Sequence, residues 1–288
     1  MDARTFLGIE ATDDPLRYRL PLRRALLTPG LFLFGGCGLG AGIEAMEQAS
    51  GRPVVWATAQ YLSFATLPGT LDLVVTLAVH GRATTQARCV ATVIGEDGVE
   101  REILTVNAAL GSRHVDGEGS WAERPEVPEP EDCPHRRPFD IVKGTVMDAY
   151  EIRQASGRAW GPAALPEAPP PRGPEAGRSA MWIRLPGGPR STTSADLAIV
   201  GDHVPSGLST ALGGMVGGNS LDNSLRVAAT AITEWVLVDI RIHAVHAGFG
   251  HGLAHLWAQD GTLLGTASQS VIVRRFNPEE MRRRADAE

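Results

Sequence analysis

The chain has 288 residues, a length that suits one large domain or two domains of ordinary size. Hydrophobic residues make up 43% and charged residues 21% of the chain, which is a globular composition. The formal net charge is −6, so electrostatic attraction to nucleic acid or to a membrane surface is not expected. The three cysteines, Cys37, Cys89 and Cys133, show no metal-binding spacing and indicate a reducing, cytoplasmic setting.

One uncharged segment, residues 25–43, has the length of a membrane span but not its composition. It contains six glycines and a proline, whereas a spanning helix carries mostly large apolar side chains. A signal peptide would not follow a stretch that holds Asp2, Glu10, Asp13 and Asp14. We therefore expect neither export nor insertion into a membrane.

Proline and acidic residues divide the chain into two halves. Eleven of the 20 prolines lie between Pro125 and Pro174, and residues 112–136 are both acidic and proline-rich. This composition predicts an exposed linker between an N-terminal domain, residues 1–111, and a C-terminal domain, residues 137–276. A charged tail, residues 277–288, follows.

The two halves repeat one pattern of strands. In each half, long β-rich runs are separated by an Asp-Gly pair, Asp97-Gly98 in the first and Asp260-Gly261 in the second. An Asp-Gly pair between such runs is a strong β-hairpin signal. Asn107 follows Asp97 by ten residues and Gln269 follows Asp260 by nine, which suggests that these two polar residues occupy matching places.

Each half also has one helix ahead of its long strands. The first is predicted over residues 36–50 and the second over about 194–211, with Ser194 as its N-cap. One helix packed on an antiparallel sheet is an α+β unit, and its repetition implies duplication and fusion. We expect the two sheets to join edge to edge and to wrap both helices.

Several stretches resemble the acyl-CoA thioesterase II family in its double-hotdog form. They are FGGCGLGAGIEAM (34–46), ATAQYLSFATLPG (57–69), HGRATTQARCVATV (80–93), RSAMWIRLPGG (178–188), SLDNSLRV (220–227), TEWVLVDIRIHAV (233–245) and QDGTLLGTASQS (259–270). The resemblance spans residues 15–275. It implies two hotdog units, acyl-CoA as substrate, free acid and CoA as products, a place in fatty acid metabolism, no cofactor, and a homo-oligomer.

The resemblance also implies three catalytic residues in the C-terminal half. The family's Asp falls on Asp222 and its Gln on Gln269. The position of its Thr or Ser, eight residues after the strand tryptophan Trp235, is occupied by His243. A second departure is Asn223, where many relatives have histidine after the Asp.

These residue types suit the hydrolysis of a thioester. The thioester carbonyl is electrophilic, so a positioned water suffices, and Asp222 would accept its proton. The Gln269 amide is able to donate or accept a hydrogen bond, while His243 would orient the water, act as the base or fill the site. Backbone N–H groups at Gly35 and Gly36, or at the turn 213–214, would stabilise the oxyanion. No GxSxG motif is present, which disfavours an α/β-hydrolase.

Simpler interpretations stay open for the same residues. Asp222 is also consistent with a turn or bulge residue, and Gln269 with a strand position that is polar only for packing. His243, His246, His251 and His255 suggest a metal site, but a predicted turn separates them and no helical HxxxH pair is expected. We predict no metal.

The glycine-rich stretch admits two interpretations. Gly36-x-Gly38-x-x-Ala41 fits a relaxed dinucleotide-binding fingerprint, which also needs an acidic residue about 20 positions further on. Residues 51–71 contain no Asp or Glu. Close packing of the helix is therefore the favoured role of these glycines.

Three functions are compatible with this pattern. The first is an acyl-CoA thioesterase. The second is an acyl-CoA-binding hotdog protein without catalysis, which His243 at the Thr position favours. The third is a hotdog enoyl-CoA hydratase or dehydratase, in which Asp222 and His243 would add or remove water.

Overall fold

The computed structural model describes residues 1–95, 97–135, 143–158 and 173–277. The α-helices are α1 (Ala3–Leu7), α2 (Gly35–Ser50), α3 (Val146–Ala149), α4 (Ser194–Gly201) and α5 (Leu208–Leu212). The strands are β1 (Glu10–Ala11), β2 (Arg17–Pro21), β3 (Val54–Tyr61), β4 (Thr70–His80), β5 (Thr84–Ile94), β6 (Glu100–Gly111), β7 (Ile152–Ser156), β8 (Arg178–Arg184), β9 (Arg190–Ser191), β10 (Val216–Ser220), β11 (Asp222–Val227), β12 (Ile232–Thr233), β13 (Trp235–His246), β14 (Phe249–Ala258) and β15 (Leu263–Arg275).

A single 13-stranded sheet runs through both halves, in the order β1-β2-β4-β5-β6-β3-β11-β15-β14-β13-β8-β7, with β10 beside β15. The order mirrors itself about the β3–β11 pair, which joins the halves antiparallel, with Asn223 opposite Ala59. Both Asp-Gly pairs form hairpin turns, and Gly98 and Gly261 have the positive φ angles that such turns require. The prediction of an α+β double hotdog is confirmed.

Helix α2 lies between the sheet and α4, and its glycines make this possible. A Cβ on Gly36 would lie 2.8 Å from the Ala198 carbonyl oxygen of α4, and one on Gly42 would lie 2.7 Å from the Val106 side chain of β6. Larger residues at these positions would push the helices and the sheet apart. The interpretation of this stretch as a close-packing motif is confirmed.

The second long helix is shorter than predicted. Helix α4 ends at Gly201, a 3₁₀ turn follows over Val204–Gly207, and α5 begins at Leu208. Pro205 is the reason, because it has no N–H for an α-helical hydrogen bond. The predicted N-cap is also wrong by one residue, since Thr193, not Ser194, accepts the Asp196 N–H in a capping box.

The proline-rich segment is exposed over most of its described residues and packs against the C-terminal half at a few of them. The outer face of the C-terminal half carries three tryptophans, Trp182, Trp235 and Trp257. The Trp182 indole N–H donates to the Pro128 carbonyl at 2.9 Å, and Cys133 is buried against the same cluster. The segment covers apolar surface that would otherwise face water. The predicted boundary at residue 137 and the predicted tail after residue 277 lie outside the described residues.

The described helices include none that is both long and apolar enough to cross a membrane.

Candidate active site

The N-terminus of α2 meets the C-terminus of α4 beneath the centre of the sheet. The N-cap residue of α2 is Phe34, which has no side-chain acceptor for the free N–H groups of the first turn. Asp202, directly after α4 in the other half of the chain, supplies such an acceptor. Its Oδ2 accepts the Gly36 N–H at 2.6 Å.

The second oxygen of Asp202 binds two amide side chains from the sheet. Its Oδ1 accepts from Asn223 Nδ2 at 3.0 Å and from Gln269 Nε2. These amides lie on the neighbouring strands β11 and β15. Asp202, Asn223 and Gln269 are 6%, 1% and 3% exposed, so the whole cluster is shielded from solvent.

Burial dominates the electrostatics of the cluster. The loss of water around Asp202 raises the pKa of its carboxyl group to about 7, against the opposing effect of three N–H donors. The Tyr61 hydroxyl lies in the same buried region, and burial together with the Asp202 carboxylate holds its pKa well above the ordinary range. Asp202 therefore exchanges its proton near neutral pH, while the Tyr61 hydroxyl stays protonated.

The two ends of the Gln269 side-chain amide differ in their hydrogen bonds. Its Nε2 donates to Asp202 and also to Ser220 Oγ at 3.1 Å. Its Oε1 is buried and accepts no hydrogen bond from any described residue. A buried carbonyl oxygen in this state is a strong acceptor for a water or a ligand.

Asp222, predicted as the catalytic base, lies one residue before Asn223 and points away from the helices. Strand alternation directs Asn223 inward and leaves Asp222 half-buried on the other side. Its Oδ1 accepts the Ser270 N–H at 2.8 Å. Leu221 marks the place where the pairing with β15 changes register, so Asp222 has the position of a bulge residue, and its side chain lies on the face of the sheet opposite that of Gln269.

His243 is separate from this cluster. It is the extra residue of a β-bulge between Ile242 and Ala244 on β13, and its side chain is exposed. No hydrogen bond among the described residues joins it to Asp222 or Gln269. Nor do histidine, cysteine and acidic side chains gather in groups of three suited to a metal within the described ranges.

The proposed match between Asn107 and Gln269 is wrong. Asn107 is exposed on the outer face of β6, while Gln269 is buried on the inner face of β15. The difference between ten and nine residues after the turn explains this, because side chains alternate between the two faces of a strand. The inward-facing neighbours of Asn107 are the apolar Val106 and Ala108.

Sequence reasoning missed Asp202, although two signals pointed to it. Pro205 indicates that the helix ends early, which places Asp202 at a helix C-terminus. An acidic residue there is unfavourable beside the negative end of the helix dipole and needs a partner elsewhere.

Comparison with known proteins decides the family. Residues 125–273, more than half of the chain, match the family model of the acyl-CoA thioesterase C-terminal domain. The chain belongs to the acyl-CoA thioesterase family. Within this family, a structure from Novosphingobium aromaticivorans described as a candidate thioesterase is 34% identical and superposes with a TM-score of 0.75, covering 91% of this chain and 97% of that one.

More distant structures share the fold of this thioesterase-family chain. A candidate thioesterase II from Thermobifida fusca is 18% identical with a TM-score of 0.75, over 95% of this chain and 97% of that one. A protein of unknown function with a hot dog fold from Alicyclobacillus acidocaldarius is 18% identical with a TM-score of 0.74, over 96% and 98%. No protein of curated function matches the sequence.

Proposed function

We propose that the protein hydrolyses acyl-CoA to a free acid and CoA. The observation that carries the proposal is the buried cluster of Asp202, Gln269 and Asn223 at the N-terminus of α2, in a chain of the acyl-CoA thioesterase family. Such a cluster provides both an oriented acceptor for water and nearby backbone donors for a developing oxyanion.

The proposed reaction uses one water molecule. Gln269 Oε1 accepts one hydrogen of the water, and the carboxylate of Asp202 in the same buried cluster accepts the proton that leaves as the water oxygen attacks the thioester carbonyl carbon. The carbon–sulfur bond then breaks, and the proton passes to the departing CoA thiolate. The products are the carboxylic acid and the thiol of CoA.

The hydrogen bonds that Gln269 already makes limit which role its side-chain amide has in this reaction. Because its Nε2 is already bound to Asp202 and Ser220, Gln269 acts as an acceptor. The oxyanion is therefore assigned to backbone N–H groups. Gly36 gives its N–H to Asp202, which leaves Gly35 in the same turn, or the turn 213–214, as the donor.

His243 has no part in proton transfer in the proposed reaction. The resemblance to the family put it at the position of a hydroxyl residue, but it lies exposed on the bulge of β13, apart from the buried cluster. The base is therefore assigned within the cluster.

The cellular setting follows from the same proposal. Cys37, Cys89 and Cys133 are all free, which suits a reducing compartment. We place the protein in the cytoplasm, in fatty acid metabolism, as a homo-oligomer.

A thiol-release assay on the purified protein tests the function. Acyl-CoA substrates of short, medium and long chain length are supplied, and we expect release of free CoA with at least one of them. Binding of acyl-CoA without release at any length would make the protein a binding protein. Addition of water to an enoyl-CoA without thiol release would make it a hydratase. Either outcome would overturn the proposal.

A further inference from the structure

We propose that the Tyr61 hydroxyl is a catalytic hydrogen-bond donor, which acts with the Gly35 N–H to bind the thioester carbonyl oxygen and to stabilise the oxyanion that forms on it. The proposal rests on the proposed function, because it assigns a second donor for the same reaction. Tyr61 is the last residue of β3 in the N-terminal half, whereas Asp202 and Gln269 belong to the C-terminal half. The half of the chain that does not supply the base therefore completes the site.

The first observation is the place of the Tyr61 hydroxyl. The Tyr61 side chain lies against the first residue of α2, where only glycine leaves room for it. A Cβ on Gly35 would lie 2.9 Å from the Tyr61 hydroxyl oxygen and 2.8 Å from Asp202 Oδ2. The hydroxyl, the carboxylate of the proposed base and the first turn of α2 therefore meet at the positive end of the helix dipole, where negative charge is stabilised.

The second observation is that the Tyr61 hydroxyl is buried without a partner. It makes no hydrogen bond with any described residue, although the side chains of Asp202 and Asn223 are near it. A buried polar group that lacks a hydrogen bond costs free energy, and a ligand that supplies the bond removes that cost. The unpaired hydroxyl therefore points to an acceptor that the bound substrate provides.

The backbone of the first turn of α2 has a second donor of this kind. The Gly36 N–H donates to Asp202 at 2.6 Å. The Cys37 N–H donates to a backbone carbonyl oxygen at 3.0 Å. No described residue accepts the Gly35 N–H. Two donors without acceptors, one from the backbone of Gly35 and one from the side chain of Tyr61, thus lie side by side.

Burial keeps the Tyr61 hydroxyl a donor throughout the reaction. Burial together with the Asp202 carboxylate holds the pKa of Tyr61 well above its ordinary range, so the O–H keeps its proton at neutral pH. As water attacks the carbonyl carbon, the carbonyl oxygen becomes an oxyanion and both hydrogen bonds strengthen with its charge. The carbon–oxygen double bond then re-forms as the carbon–sulfur bond breaks, and no proton leaves Tyr61.

The rate of Tyr61→Phe tests this role, because the change removes the hydroxyl and keeps the ring that lies against Gly35. We expect kcat for thiol release to fall by about 10²-fold and KM to change little, as is usual when one oxyanion donor is lost. The control is Tyr150→Phe, which also removes a buried hydroxyl without a hydrogen bond to any described residue, where the ring packs on Phe6 of α1. Its kcat should equal that of the wild type. Circular dichroism confirms that both variants are folded.

The pH dependence of kcat/KM separates this role from a structural one. The Asp202 base has to be ionised, and its pKa of about 7 should give the wild type a limb that rises with pH near pH 7. A hydroxyl that donated to the Asp202 carboxylate would stabilise its ionised form, so its removal would move the limb to higher pH. A hydroxyl that donates to substrate leaves the limb in place in Tyr61→Phe. A limb that moves, or an unchanged kcat, would overturn the proposal.

A substrate analogue that cannot be hydrolysed tests the contact without any turnover. In ketone analogues of short-, medium- and long-chain acyl-CoA, a methylene group replaces the thioester sulfur, and infrared spectroscopy records the stretching band of the bound carbonyl. Hydrogen bonds to the oxygen lower this frequency, so the band should lie higher in Tyr61→Phe than in the wild type and Tyr150→Phe. Equal bands, or no binding of any analogue, would overturn the proposal. A wild type that releases no thiol would refute the proposed function, while the band would still decide the role of Tyr61.

Discussion

The two ends of the paired helices α2 and α4 are built alike but differ in what the sheet adds. At one end, Asp202 after α4 binds the first turn of α2. At the other end, Glu47 near the end of α2 accepts the Ser194 hydroxyl in the first turn of α4 at 3.0 Å and the Val54 N–H at 2.8 Å. An acidic side chain that binds the first turn of the other helix is therefore present at both ends, buried at Asp202 and half-buried at Glu47.

The sheet presents different side chains to the two ends of the helix pair. The strands β11 and β15 present Asn223 and Gln269 to the helices, while the inner faces of β3 and β6 carry small or apolar side chains. The residues concerned on β3 and β6 are Ala57, Ala59, Val106, Ala108 and Leu110. Burial raises the pKa of Glu47, with a smaller contribution from the charge of Glu44, as burial raises that of Asp202. Both ends therefore have an acid with a raised pKa. The two amide side chains, Asn223 and Gln269, are what distinguishes the candidate site from the other end.

The largest expected effect is at the amide end, in Asp202→Asn. The amide keeps an oxygen that accepts the Gly36 N–H but no longer accepts a proton. We expect kcat/KM for thiol release to fall by about 10²- to 10⁴-fold. Asp222→Asn, on the opposite face of the sheet, and Glu47→Gln, at the end without amides, should leave kcat/KM nearly unchanged. Equal rates for wild type and Asp202→Asn would contradict the assignment of the base.

The second prediction concerns the dependence of stability on pH. The pKa of Asp202 rises from 3.8 in the unfolded chain to about 7 in the native state, so the native state keeps its proton over a range where the unfolded chain loses it. Stability should therefore fall as pH increases from about 4 to about 7 and then level off, with a share for Asp202 of about 4 kcal/mol.

Denaturant unfolding between pH 4 and pH 8 measures this slope. Glu44 and Glu47 also have raised pKa values and add to the slope with the same sign. Asp202→Asn should remove the largest single contribution to the slope of unfolding free energy against pH, and Glu47→Gln a smaller contribution. Identical slopes in the wild type and Asp202→Asn would mean that Asp202 is not the strongly perturbed acid of this pair.

The fold could be predicted from the sequence because the signals that specify its hairpins and its helix packing are local. Asp97-Gly98 and Asp260-Gly261 specify the hairpins, and the glycines of α2 allow a helix to lie close to other backbone. Register was predicted less well. The spacing of Asn107 and Gln269 differs by one residue, and one residue is enough to move a side chain to the opposite face of a sheet.

The candidate site was only partly predictable because it depends on long-range contacts. Gln269 was identified through a resemblance, but its hydrogen-bond partner Asp202 is 67 residues away in the chain, and Gly36 is 166 residues from Asp202. Such a contact leaves no local pattern. The linker was predicted from composition alone, and composition gave no sign that the Trp182 indole would donate a hydrogen bond to the Pro128 carbonyl.

The smallest expected effect is that of His243→Thr, which restores the hydroxyl residue of the family. Since His243 is exposed and no hydrogen bond among the described residues joins it to Gln269, we expect kcat/KM to stay within about twofold of the wild type, as is usual for an exposed side chain outside the reacting groups. The limb of the pH–rate profile near pH 7 should persist, because we assign it to Asp202. If His243 were the base, the variant would lose about 10²-fold or more in rate. The two variants therefore separate the two assignments. A limb that survives in His243→Thr and disappears in Asp202→Asn belongs to the buried end of the helix pair, and the opposite result transfers the chemistry to the bulge of β13.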